Sequence, residues 1–239
     1  MKINWGYIKV GLLLILVVFL YAFSSARNSA RKVSKPVINF VGEDNLFITH
    51  EAVSKLLIQN QETVANKRKD IIDLYGLENA LNSNPIIKQA QVYLSVTGEI
   101  VAEVEQKQPI ARVRTETSYY IDKEGGVMPL SLNYTARVPL VTGKVLENDL
   151  ENVFKMAQKI ENDTFLKQHV VEIHQNENAT IDLKFRLQDF KIQLGSLSLL
   201  DKKINNLKAF YQKAYKDKTL GSYSVVNLKF DNQVICTKK

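Results

Sequence analysis

Ala90-Gln91-Val92-Tyr93-Leu94-Ser95-Val96-Thr97-Gly98-Glu99-Ile100-Val101-Ala102-Glu103-Val104 is the stretch that decides the fold. Ala90, Val92, Leu94 and Val96 alternate with more polar neighbours, and the alternation resumes at Ile100, Ala102 and Val104. A period of two marks a half-buried strand. A three-residue turn at Thr97-Gly98-Glu99 predicts that Val96 pairs with Ile100, Leu94 with Ala102 and Val92 with Val104, with all seven apolar residues on one face. That face requires a second layer to cover it.

The residues before the hairpin supply that layer. Val37-Ile38-Asn39-Phe40-Val41 is a short apolar run ending at Gly42, and it reads as a strand. Thr49 is placed to cap a helix whose apolar face is Ala52, Val53, Leu56 and Leu57. Residues 59–70 are polar and basic and read as a loop. A second helix is predicted from Asp73 to Asn82, with Leu74, Leu77 and Leu81 at helical spacing, and Asn84-Pro85 stops it. Residues 36–108 thus read strand-helix-helix-strand-strand, two helices lying on a small sheet.

Beyond Gln108-Pro109-Ile110-Ala111-Arg112 the pattern changes to a mostly antiparallel β region with two helices. Tyr119 to Asp122 reads as a strand entering a turn at Gly125-Gly126, and Val138 to Gly143 as an extended piece. Leu150, Val153, Phe154, Ala157 and Ile160 form a helical stripe with Asn148 or Asp149 as its cap. His169–His174, Thr180–Leu187 and Phe190–Leu194 read as consecutive antiparallel strands. Ile204, Leu207, Tyr211 and Ala214 mark a last helix. Ser224–Lys229 and Gln233–Thr237 are expected to close the chain as a hairpin around Asp231-Asn232.

The start of the chain is a different material. Val10 to Ala26 is seventeen uncharged residues, about 26 Å of helix and close to the ~30 Å hydrocarbon thickness of a bilayer. Val10, Leu14, Val18 and Tyr21 are expected to face lipid, and Trp5, Tyr7 and Tyr21 to settle at the headgroups. A retained span is the favoured reading. A cleaved signal peptide shares its basic start, apolar core and small Ser24-Ser25-Ala26 end. Lys2 and Lys9 precede the span and Arg27, Arg31, Lys32 and Lys35 follow it, so charge counting alone favours an outside N-terminus.

Composition removes several function classes. With 45% apolar and 24% charged residues, ten Gly and five Pro among 239, the chain is globular rather than disordered or collagenous. Its formal charge is +7, but six of the 32 basic residues precede residue 36, leaving 26 against 25 acids in the folded part. That balance disfavours nucleic-acid binding, which needs a basic stripe on the folded part. The single Cys236 excludes an intrachain disulfide or a thiolate zinc cluster and reads as an inert thiol.

Catalytic signatures are scarce. G-x-S-x-G, G-x-x-x-x-G-K-[ST] and G-x-G-x-x-G are all missing from the sequence. His169 and His174, five apart in an expected strand, would lie on opposite faces and share no metal. His50 has no histidine four residues on. Glu103 and Glu105 share the polar face of the hairpin and read as a solvated edge, and Phe210, Tyr211 and Tyr215 as core aromatics. No catalytic residue, cofactor site or metal site is assigned.

The element order, together with Asn84-Pro85-Ile86-Ile87-Lys88-Gln89-Ala90-Gln91-Val92, Gln108-Pro109-Ile110-Ala111-Arg112, Tyr120-Ile121-Asp122-Lys123-Glu124-Gly125, Val138-Pro139-Leu140-Val141-Thr142-Gly143 and Val226-Asn227-Leu228-Lys229-Phe230, resembles the FtsQ/DivIB family of bacterial cell-division proteins. The likeness covers almost the whole chain. It implies an α+β protein with a cytoplasmic tail (1–9), a transmembrane helix (10–26), a basic juxtamembrane linker (27–35), a POTRA domain (36–108) and a partner-binding β domain (109–239). It also implies a non-enzymatic scaffold of the inner membrane at the division septum, with the C-terminal domain in the periplasm. Its partners would be FtsB- and FtsL-type coiled-coil proteins, with other divisome proteins meeting the POTRA domain.

In the family a partner strand adds to the terminal strand of the β domain. An end strand is an open template for such pairing. The matching positions are Val226, Asn227, Lys229, Phe230, Asp231, Asn232, Gln233 and Val234, with Lys229 expected to meet a partner carboxylate and Phe230 to make an aromatic contact. Gln233 stands where a glycine or small residue is common, and no late Trp follows. A membrane-tethered envelope enzyme and a POTRA-containing assembly or transport factor are the competing classes. The first needs a pocket of converging titratable groups, and the second a barrel of many strands about 9–11 residues long.

Overall fold

The structure, a computed structural model, describes residues 5–29, 36–43, 45–59, 73–95, 97–115, 117–146, 149–231 and 233–239. Val96, Asn148, Asn232, residues 30–35 of the linker and all but the first residue of the expected 59–70 loop lie outside the described residues. Helix α1 (Trp5–Ser29) opens the chain. Its Ile8–Arg27 stretch is long and apolar enough to cross a bilayer and is not buried by other parts of the chain. The chain divides into two compact units, Met1–Gln106 and Lys107–Lys239.

The first unit contains β1 (Val37–Val41), α2 (His50–Gln59), α3 (Leu74–Asn82), β2 (Ile87–Leu94) and β3 (Ile100–Gln106). Thr49 Oγ1 accepts from Ala52 N at 3.2 Å and Asp73 Oδ1 from Gly76 N at 2.9 Å, so the two caps start the two helices. Because two helices intervene, β1 can join β3 in parallel while β2 pairs with β3 antiparallel, in the order β1-β3-β2. Val53, Leu57, Leu77 and Leu81 pack on Ala90, Val92, Ile100, Ala102 and Val104.

The hairpin register corrects the expected one. Leu94 opposes Ile100, Val92 opposes Ala102 and Ala90 opposes Val104. Ser95 is the reason: its Oγ accepts from Glu99 N at 2.9 Å and its N–H donates to Glu99 O at 2.8 Å, closing the turn one residue early. Gly98, at φ +91°, takes the left-handed position this turn requires. Moving the turn by one residue shifts each partner by two, so the buried face is unchanged.

The second unit is a nine-stranded mixed sheet in the order β12-β11-β10-β9-β8-β7-β4-β5-β6. Its strands are β4 (Pro109–Arg114), β5 (Ser118–Asp122), β6 (Val127–Pro129), β7 (Leu140–Gly143), β8 (Val170–Gln175), β9 (Ile181–Phe185), β10 (Lys191–Gly195), β11 (Tyr223–Asn227) and β12 (Ile235–Lys238). Among the described residues three α-helices accompany it, α4 (Glu151–Glu161), α5 (Thr164–His169) and α6 (Leu200–Lys216), with a short 3-10 turn at Leu220–Ser222. Met156, Ile160, Ile173, Leu183, Ile192, Ile204 and Leu207 are among the residues of one continuous core.

Several local expectations change. Helix α5 was not foreseen, and His169 is its last residue rather than the start of a strand. Asp163 caps α5, accepting from Phe165 N and Leu166 N, each at 3.1 Å. Leu150, not Asp149, holds the cap position of α4 and makes no side-chain cap bond. Strand β7 starts at Leu140, two residues after Val138. Lys229 and Gln233 lie outside the strands of the terminal hairpin. Tyr211 makes edge contacts with Phe165 (5.2 Å) and Phe185 (5.8 Å), whereas Tyr215 stacks on Tyr211 from an exposed position.

Candidate functional site

A strand edge offers free backbone groups to another chain only where nothing already occupies them. In the first unit, β2 is closed by its own helix. Asn82 of α3 accepts from Ala90 N at 2.7 Å and donates to Ala90 O at 3.3 Å, and Glu78 accepts from Val92 N at 3.0 Å. In the second unit, β6 is three residues long and ends in Pro129, which has no N–H to give. The opposite end of that sheet is β12, which pairs with β11 on one side only: Val225 with Thr237, Val226 with Cys236 and Asn227 with Ile235.

This arrangement separates the eight sequence-matched positions. Val226 is 0% exposed and, with Asn227, lies on β11 between β10 and β12, so neither offers a free edge. Lys229, Phe230, Asp231 and Gln233 are exposed in the turn leading into β12, with Phe230 at 47%, and Val234 is half-buried against the core. Asn232 lies outside the described residues. The matched run therefore falls on the interior strand and the turn, and it stops one residue before the edge strand. Ile235, at 42%, and Thr237 are exposed on the edge strand and lie outside the matched run. The run Val234-Ile235-Cys236-Thr237 is too short, and too uniformly apolar, to distinguish an edge from an interior strand.

The turn is locally organised. Asn227 Oδ1 accepts from Lys229 N at 2.9 Å, and Leu228 N donates to Gln193 O at 2.8 Å, continuing the parallel β10–β11 pairing. Cys236 on the edge strand is half-buried, and burial pushes its thiol pKa up. Charge also differs between the units. Residues 107–239 hold 21 basic and 15 acidic groups, and residues 36–106 hold 5 and 10. The near-balance of the folded part as a whole is the sum of two opposed units, and the unit carrying β12 is the cationic one.

The histidines occupy structural settings. His50 packs edge-on against Phe40 at 4.5 Å, and His169 stacks on Phe165 at 4.4 Å while its Nδ1 meets Phe165 O at 2.8 Å. Thr142 donates its one hydroxyl proton to Glu172 at 2.8 Å and meets His174 Nδ1 at the same distance, so Nδ1 carries the hydrogen of that second bond. His174 lines a hollow of about 340 Å³ with Glu172, Asp182, Lys184 and Lys191. No hydroxyl or thiol nucleophile is among its lining residues, and Asp182 is tied to Lys191 at 2.8 Å. The four anchor positions Val10, Leu14, Val18 and Tyr21 are all exposed along α1. Glu103 accepts from Tyr93 OH and Glu105 from Lys88 Nζ on the open face of the first sheet.

An apolar leading helix long enough to cross a bilayer, a strand-helix-helix-strand-strand unit and a mixed β unit define a POTRA-type protein with a C-terminal β unit. Residues 41–105 match a POTRA-like domain, and residues 108–237, more than half of the chain, match the C-terminal related region of FtsQ/DivIB. The chain belongs to the FtsQ/DivIB family, whose role is in cell division. It is similar to the cell division protein FtsQ of Geotalea daltonii (strain DSM 22248 / JCM 15807 / FRC-32), 22% identical over 208 residues, which span 76% of this chain and 74% of that protein.

Proposed function

We propose that this chain is a non-enzymatic scaffold of the division machinery that receives an FtsB- or FtsL-type coiled-coil partner by strand addition at β12. The observation that carries the reading is the one-sided pairing of Ile235–Lys238 at the end of the nine-stranded sheet. An added strand gains main-chain hydrogen bonds there, and side-chain contacts beside it give specificity. Exposed Phe230 and Ile235 supply apolar contact, and the cationic balance of the unit favours a partner segment rich in carboxylates. Lys229, exposed in the turn, is the group we assign to one of those carboxylates.

Helix α1 is retained as a single inner-membrane span, with the N-terminus in the cytoplasm and both units in the periplasm at the septum. Other divisome proteins meet the POTRA-like unit. A photoreactive residue at Ile235 in the full membrane-bound chain, co-expressed with candidate coiled-coil partners, tests the docking. Crosslinking to such a partner is expected, and a full-length chain that captures none of them overturns the reading. A fluorescent fusion is expected at the septum and lost from it on deletion of residues 235–239. Recovery of a mature chain without residues 1–26 overturns the anchoring.

A further inference from the structure

Helix α6 places a full charge inside the second unit. Lys203 is 2% exposed, and its ammonium donates to Leu194 O at 3.1 Å and to Ser196 O at 2.8 Å. These carbonyls flank Gly195, which sits at φ +74° where β10 ends. The left-handed residue turns the chain out of the sheet, and the two carbonyls meet the same cation. An ammonium has three N–H donors. Among the described residues Lys203 bonds only these two neutral acceptors, and no carboxylate lies within ion-pair distance.

A buried cation held by carbonyls alone carries a desolvation cost that a methionine in its place would avoid. Burial pulls the Lys203 pKa down, and the opposing influence is the charge of Asp231 in the turn before β12. The same turn touches β10 directly. A Cβ on Gly195 would come within 2.9 Å of Lys229 Cγ, and Leu228 N bonds Gln193 O. The exit of β10 therefore has Lys203 on one side and the turn that delivers β12 on the other.

We propose that Lys203 is the positioning residue of the docking edge: it fixes the exit of β10 and, through the Gly195–Lys229 contact with the charge of Asp231 in support, the turn that sets where β12 lies at the rim of the sheet. The proposal rests on the strand-addition reading above for its function, but its first measurement needs no partner. Amide hydrogen exchange is followed in the full chain in detergent micelles for Lys203→Met, which keeps the stem and removes the charge, for Asp231→Asn, and for the pair. Exchange at Ile235, Thr237 and Lys239, whose N–H groups face β11, is referenced to Ile181–Phe185 of β9.

Lys203→Met is expected to speed exchange on β12 at least tenfold beyond any change on β9. Asp231→Asn is expected to produce the same pattern more weakly, and the double variant no more than Lys203→Met alone. Equal acceleration on β9 and β12, the signature of a residue that only supports the core, overturns the proposal. If Lys203→Met fails to fold, Asp231→Asn decides alone, because it alters only an exposed turn residue, and unchanged exchange on β12 is then the overturning result. Crosslinking from Ile235 is read in parallel. A wild-type chain that captures no partner removes the strand-addition reading, while the exchange pattern still decides the positioning.

Discussion

The side chain of Gln106 pairs with the backbone of Ile48 in both directions, accepting from Ile48 N at 3.2 Å and donating to Ile48 O at 3.1 Å. Its Oε1 also accepts from Phe47 N at 2.9 Å. One buried amide at the end of β3 thus satisfies the entry to α2 as a neighbouring strand would. Gln106→Ala removes these three buried hydrogen bonds to Phe47 and Ile48, at a cost of about 2–3 kcal/mol to the first unit. Denaturant unfolding followed from that unit should show a lower midpoint, with faster exchange at Phe47 and Ile48.

Gly143 ends β7 at φ +91°, and a Cβ there would lie 2.0 Å from Gln175 O, the backbone of its partner strand. The obstacle cannot rotate away as a side chain could. Gly143→Ala is expected to destabilise the second unit by about 3 kcal/mol through strain and forced separation of β7 from β8. A thermal melt that matches the parent protein would contradict this.

Asp163 should make the second unit acid-sensitive. Burial alone would raise its carboxyl, but hydrogen bonds from Lys208 and the Leu166 amide, with the charges of Lys208 and Lys159, outweigh burial and hold it below the usual carboxylate range. A lowered native pKa adds stability that is complete above the unfolded value of about 3.9 and is lost as pH falls through the native value. Asp163→Ala is expected to cost about 1 kcal/mol at neutral pH. The slope of stability against pH below about 4 should flatten in that variant, as read by unfolding at a series of acidic pH values.

Cys236 reports on the edge. Its raised pKa and half-buried position predict slow alkylation by iodoacetamide at neutral pH, faster as pH rises. A bound partner strand should slow the reaction further. Equal rates with and without a crosslink-competent partner would count against docking at β12.

Lys229→Glu should weaken partner binding about tenfold while leaving the melting temperature unchanged, because an exposed turn residue contributes little to the core. Affinity in a purified pull-down checks it, and unchanged binding removes Lys229 from the contact.

What the sequence makes legible is local. Thr49 and Asp73 announce their helices, and the alternation selects the buried face of the hairpin at its six described positions even though Ser95 closes the turn a residue early. The helix α5 hides because Val170-Val171-Glu172-Ile173 beyond it is strongly strand-like, and only Asp163 marks its start. Long-range pairing is harder still. Strand β7 enters between β4 and β8 in parallel with both, and β11 joins β10 in parallel across α6, choices made by tertiary packing. The terminal hairpin suffers for the same reason, since β11 and β12 differ in their neighbours rather than in composition.

The two ends of the nine-stranded sheet are unlike. A sheet open at both rims could concatenate, copy onto copy, into a fibre. Pro129 on the short strand β6 denies the second rim a donor, which disfavours copy-onto-copy addition there. The fold favours a finite assembly of defined stoichiometry over polymerisation.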